Sequence, residues 1–90
     1  GLDIILEEEI SFADAVLGTT LKVPTLTGHV ELKVPPGTES GKVFRMKGKG
    51  ISTPRSYGTG DQFVQVKIKV PKKVSAKARD LLNRLKEENV

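Results

Sequence analysis

Ninety residues with 37% apolar and only 4% aromatic content allow one domain at most, with a core of valine, leucine and isoleucine. The absence of cysteine excludes a disulfide framework and any thiolate metal or redox site, and fits a reducing compartment. No apolar run approaches the roughly 20 residues of a membrane span, and a net charge of +4 admits acidic or nucleic-acid partners while serving solubility equally well.

The chain opens at Gly1-Leu2-Asp3-Ile4 already in a strand-like pattern, which suggests a piece of a longer protein. Asp3 to Ile10 reads as a strand, with Ile4, Leu6 and Ile10 on one face and Ile5, Glu7 and Glu9 on the other. Glu8 interrupts the apolar face. Ser11 is placed to cap a short helix, Phe12 to Leu17, closed by Gly18, and Phe12, Val16 and Leu17 could cover a sheet. Thr19 to Thr25 forms a second strand with Leu21 and Val23 on one side. Pro24 cannot donate to a ladder, so this strand belongs at a sheet edge or ends near Pro24. A turn at Leu26-Thr27-Gly28 leads into His29 to Val34, which returns with Val30, Leu32 and Val34 inward.

The stretch Pro35 to Gly50, PPGTESGKVFRMKGKG, packs two prolines and four glycines around a short strand, Val43 to Met46. Pro35-Pro36-Gly37 turns the chain and Gly41 allows a second tight turn. Gly48 to Gly60 lacks periodicity and reads as a disordered crossover or a functional loop. Asp61 to Val70 is the clearest strand, alternating Val64, Val66, Ile68 and Val70 with Gln65, Lys67 and Lys69 until Pro71 ends it. Ser75 then caps a helix reaching about Asn89, with Val74, Ala78, Leu81, Leu82 and Leu85 on one stripe. The fold class is mostly β, a small β-sandwich-like domain with one short tucked helix and a C-terminal helix. The leucine stripe fits two roles equally, closing the sandwich or meeting a partner chain.

Residues able to carry catalysis are missing from this pattern. Gly48-Lys49-Gly50 has no hydroxyl residue after the lysine, and Val43 stands where the first glycine of a phosphate loop belongs. His29 is the only histidine, so a zinc site would need three carboxylates, and an exposed strand position explains it. Of Glu7, Glu8 and Glu9 only the first and last share a face, which fits a charged, solvated strand. Ser11 and Ser75 are explained as caps and have no base to activate them. Lys42, Arg45, Lys47 and Lys49, with a second basic group around Lys72, Lys73, Lys77, Arg79 and Arg84, invite a nucleic-acid reading. Phe44 alone makes no stacking platform, however, and long basic stems also cover apolar surface. No catalytic residue, metal ligand or cofactor is expected.

Taken together, several motifs resemble the second C-terminal domain of DnaJ-type co-chaperones. They are Leu2-Asp3-Ile4, Ile10-Ser11-Phe12-Ala13-Asp14-Ala15-Val16-Leu17-Gly18, Val23-Pro24-Thr25-Leu26 with Gly28, and Lys33-Val34-Pro35-Pro36-Gly37-Thr38. Gly41, Phe44-Arg45-Met46-Lys47-Gly48-Lys49-Gly50, Gly60-Asp61 and Val70-Pro71 complete the match, in order from Gly1 to about Leu85. The resemblance implies a non-enzymatic chaperone module of the cytoplasm that binds unfolded polypeptide, forms homodimers and helps deliver clients to a DnaK-type chaperone. It divides the chain into a β-domain, residues 1–71, and a dimerisation helix, residues 72–90. The J domain, Gly/Phe-rich linker, cysteine-rich zinc domain and first C-terminal domain of such proteins are not in this sequence, so stimulation of the DnaK-type ATPase is expected outside it.

For such a module an exposed strand edge can add a client strand by sequence-tolerant main-chain hydrogen bonds, beside pockets for apolar side chains. Thr19 to Thr25 is the best candidate, with Leu6, Leu21 and Val23 as groove floor and Lys22 keeping the empty edge soluble. Ordinary core membership would explain the same three apolar residues. Dimerisation is expected through Leu81, Leu82 and Leu85. The alternatives are a structural spacer and dimer domain without client contact, and a basic β-domain that binds nucleic acid.

Overall fold

A computed structural model describes residues 1–55 and 57–90. It contains β1 (Ile4–Ile10), α1 (Phe12–Leu17), β2 (Thr19–Thr25), β3 (Gly28–Val34), β4 (Val43–Met46), β5 (Gln62–Ile68) and α2 (Ala76–Glu87). The β1-β5-β4 sheet faces the β2-β3 hairpin, and their inner faces form the core. β1 runs parallel to β5 with Leu6 beside Val64, whereas β4 is antiparallel to β5 with Phe44 beside Val64. A mostly-β sandwich with a C-terminal helix is therefore what the alternating patterns produce.

Two buried clusters hold the layers together. Ile10, Ala15, Val34 and Val66 form one, and Val23, Met46 and Val64 the other, with Leu21 and Leu32 packed against both. Gln62 adds a polar tie. Its position in phase with Val64 and Val66 places it inside, where its Nε2 donates to the Pro24 carbonyl at 2.9 Å and links β5 to β2.

The helix α1 covers the sheet less than its composition suggests. Its six residues bury Ala15, while Phe12, Val16 and Leu17 are exposed, because so short a helix turns only one position squarely inward. Ser11 caps it as expected, its Oγ accepting from the Asp14 amide at 3.0 Å. The Pro35-Pro36-Gly37-Thr38 turn supplies the other end. The Gly37 and Thr38 amides donate to the Ala15 carbonyl at 2.9 and 3.1 Å, and Thr38 Oγ1 donates back to Pro35 at 2.6 Å. Two prolines and a glycine at positive φ thus hold the otherwise unsatisfied carbonyl of a neighbouring helix.

β5 stops short of its predicted end. Val70 is 84% exposed, not inward, because β1 turns into α1 after Ile10 and Pro71 has no donor with which to continue a ladder. The last pairing is the Lys69 amide to the Ile10 carbonyl at 2.8 Å.

The 48–60 segment folds as an arm, closed by bridges between Leu2 and Ile51 and between Ser52 and Thr59. Ser56, within it, lies outside the described residues. At its base the Gly50 amide donates to Gly60 at 2.8 Å, and Leu2 and Ile51 exchange bonds of 2.9 and 2.7 Å. Asp61 locks this junction. Its carboxylate accepts from the Gly48 amide at 2.8 Å and from Arg45 Nε at 2.6 Å, and its own amide donates to Asp3 Oδ1 at 2.8 Å. The Gly48 hydrogen bond, followed by that of Arg45, holds the Asp61 carboxyl below the ordinary aspartate range.

A group whose pKa is depressed on folding stabilises the fold above its unfolded pKa, and that contribution is lost as pH falls through the folded pKa. Asp61→Asn should therefore lower the melting temperature most at neutral pH, with the gap to wild type closing below about pH 4. Thermal denaturation of both proteins across that range reads this directly, and a gap that stays constant into acid would contradict it.

Candidate functional site

The β2-β3 hairpin has a two-residue turn, Leu26-Thr27, between the paired Thr25 and Gly28. In this register the pairs that exchange ladder bonds recur at every second residue from Thr25, so the backbone groups of Thr20, Lys22 and Pro24 face the open edge of β2. Pro24 fits there because its missing donor breaks no bond to β3. Its carbonyl is already held by Gln62, which leaves the Thr20 and Lys22 stretch as the unoccupied part of the edge.

The structure brings Leu6, Leu21 and Val23 together around Val64 and Met46. Their exposures differ. Val23 is completely buried, whereas Leu6 and Leu21 are half-buried and keep part of their side chains at the surface. Lys22 lies on the outer face of the hairpin, exposed and paired across the strands with Glu31. The combination can present main-chain donors and acceptors beside two partly accessible leucines.

The helix α2 forms a second surface. Ser75 caps it, accepting from the Ala78 amide at 3.1 Å, and Arg84 and Lys86 stand in its last turn where the helix dipole favours cations. None of its residues is buried, and its leucine stripe enters neither core cluster. Leu81 and Leu82 are 52% and 51% exposed, and Leu85 is half-buried. The stripe is thus not a lid on the sandwich. Leu82 and Leu85 instead border a cleft with Phe12 and Ile68 at the end of the sandwich, in a molecule 57 Å long and 21 Å wide.

The basic cluster around β4 is not a continuous free patch. Arg45 is engaged by Asp61, and Phe44, half-buried, packs against the Ile10 cluster. His29 sits exposed on the outer face of the hairpin opposite Pro24. Glu7 pairs with Lys67 at 3.3 Å on the outer face of the larger sheet. Among the described residues, no group of three or more histidine, cysteine or acidic side chains is arranged to hold a metal, and no helix is long and apolar enough to cross a membrane.

Sequence reasoning missed Gln62 and the Asp3-Asp61-Arg45 junction. The period-2 phase of β5 carried a signal for Gln62, since the residue two before Val64 must share its face. Nothing in local spacing joins Asp3 to Asp61 across the parallel β1-β5 pairing.

Comparison with known proteins agrees with this architecture. The family model described as DnaJ C terminal domain matches residues 1–71. The Chaperone protein DnaJ of Chlorobaculum tepidum is 49% identical over 90 residues, covering 100% of this chain and 22% of that protein. Those of Geobacillus kaustophilus and Rhodopirellula baltica are 51% and 53% identical, covering 91% and 97% of this chain and again 22% of each relative. The chain thus spans less than a quarter of the length of these relatives, and by the family match over residues 1–71 it belongs to the DnaJ C-terminal domain family.

Proposed function

We propose that this chain is the second C-terminal domain of a DnaJ-type co-chaperone, a non-enzymatic module that holds unfolded polypeptide and joins two copies of its protein. In this reading residues 1–71 carry the client and residues 72–90 the dimer helix. A client strand adds to the open edge of β2, pairing with the main chain of Thr20 and Lys22. Because Val23 is wholly inside, contact with apolar client side chains falls to Leu6 and Leu21. The open edge beside these two half-buried leucines is the observation that carries the proposal. Delivery to a DnaK-type chaperone, in the cytoplasm, belongs to the full-length protein.

A spacer role without client contact has one observation in its favour, that Leu6 and Leu21 also pack against the Val23 cluster. Lys22→Pro separates the two readings. It removes an edge-facing amide without breaking a β2-β3 bond, and Leu21 before it is already extended. Losing one main-chain bond should cost about 1 kcal/mol, or roughly fivefold in affinity for an unfolded client peptide. Calorimetry showing unchanged client affinity in a folded Lys22→Pro protein would remove the edge from the mechanism.

A further inference from the structure

The hairpin covers the larger sheet unevenly. The inner residues of β5, Gln62, Val64 and Val66, are buried, whereas Ile4, Leu6 and Glu8 of β1 are only half-buried. On the other side β3 lies toward β4, since Val34 and Phe44 border the same cleft. Gln62 reaches from β5 to the Pro24 carbonyl at the open edge of β2. That edge therefore stops above β5 and leaves the inner face of β1 to whatever pairs next. Neighbouring strands lie about 4.8 Å apart in any sheet, so a third strand beside β2 would lie over β1.

One residue of that face is out of character. Glu8 is in phase with Leu6 and Ile10 and pairs in register with Val66, which puts its carboxylate on the inner side of the sheet. Among the described residues Glu8 takes part in no ion pair. The cations Lys67 and Arg45 occupy outer-face positions, where Glu7 holds the first at 3.3 Å and Asp61 the second at 2.6 Å. A carboxylate partly withdrawn from water without a counter-charge is unfavourable, and a cation brought to it is held more strongly than at a free surface. Inward charges also keep sheet edges from pairing with copies of themselves, but a charge of either sign would do that.

We infer that Glu8 is a specificity-determining residue of the client groove, accepting a lysine or arginine side chain two residues along the client strand from the apolar side chain seated at Leu6. The inference rests on client addition to the β2 edge. Side chains of an added strand alternate between its faces, so its inward positions are two residues apart, as Leu6 and Glu8 are on β1 beneath them. An apolar residue over Leu6 therefore brings the residue two positions away over Glu8. Main-chain pairing accepts any sequence, and Leu6 and Leu21 ask only for an apolar side chain. Glu8 adds a charge requirement and with it a preferred register, because a slip of one residue turns the client cation to the other face.

Fluorescence anisotropy with the 90-residue protein tests this, using labelled peptides in which leucines alternate with serines. One leucine position is replaced by lysine, serine or glutamate, and a fourth peptide carries the lysine one residue along, out of phase with the leucines. The in-phase lysine peptide should bind about tenfold more tightly than the serine peptide, and the glutamate and out-of-phase peptides should gain nothing. Glu8→Gln should abolish that advantage and leave the affinity of the serine peptide unchanged, while Glu8→Lys should transfer the advantage to the glutamate peptide. Circular dichroism checks the fold of both variants. Equal affinity of the wild type for the lysine, serine and glutamate peptides would overturn the inference and leave the client edge standing, as would a lysine preference that survives Glu8→Gln. Binding of none of the peptides would instead remove the client edge itself, and selection by Glu8 with it. Glu8 variants that self-associate without any change in peptide preference would reduce Glu8 to a guard of the sheet edge.

Discussion

Gly60→Ala should destabilise the domain by about 3 kcal/mol, the upper end of ordinary overpacking, although it adds a single methyl group. A Cβ on Gly60 would fall on the Leu2 carbonyl, and one on Gly50 would come within 2.5 Å of the same oxygen. Both obstacles are backbone, held in place by the Leu2-Ile51 bonds and by the Ile4 amide bonded to the Asp61 carbonyl at 2.8 Å. No side chain can swing away. Relief would come only by separating the first residues of the chain from the base of the arm, which would also disturb the start of the β1-β5 pairing at Ile4 and Gln62.

Gly58 serves as the control. It has a positive φ of 74° but open space around it, so Gly58→Ala should cost only the left-handed strain of about 1 kcal/mol. In a domain of this size a loss of about 3 kcal/mol is a large fraction of total stability, about 5–15 kcal/mol for typical proteins. Urea denaturation of the two variants compares them directly. Equal losses would mean that the three backbones do not meet as described.

The second large effect concerns association. Leu81→Asp with Leu82→Asp should convert a dimer to a monomer in sedimentation while the circular dichroism of the sandwich stays unchanged. The expectation follows from burial. Both leucines are about half exposed and touch neither core cluster, so the folded monomer loses little when they become charged. Two buried charges at a helix-helix seam, by contrast, would have no partner. Unfolding of the double variant would assign the leucines to the core instead, and a wild type that stays monomeric at high concentration would remove the dimer seam from α2.

Much of this architecture was legible because local rules and tertiary packing agree. Alternation placed Val30, Leu32 and Val34 on one face of β3 and Val64 and Val66 in the core, and both serine caps formed where the pattern put them. The failures have specific causes. Val70 continues the alternation of β5 in sequence, but its neighbouring strand has already become a helix, so the pattern outlasts its partner. Phe12, Val16 and Leu17 look like a covering face, yet a six-residue helix has room to bury only Ala15.

Burial depth along one face was also invisible. Leu21 and Val23 occupy equivalent alternating positions, and only the opposing Met46 and Val64 make Val23 wholly core. The glycines and Asp61 showed as motifs, while their common purpose depends on a contact between residues 3 and 61 that no local period encodes.

The most direct measurement is an NMR titration of the isotope-labelled 90-residue chain with an unfolded hydrophobic client peptide, at low and at high salt. Client addition to the β2 edge predicts amide shifts centred on Thr20, Leu21 and Lys22, with Leu6 methyl shifts beside them, that persist at high salt. Absence of shifts at millimolar peptide would contradict the client-holding account and leave this domain as a spacer and dimer module.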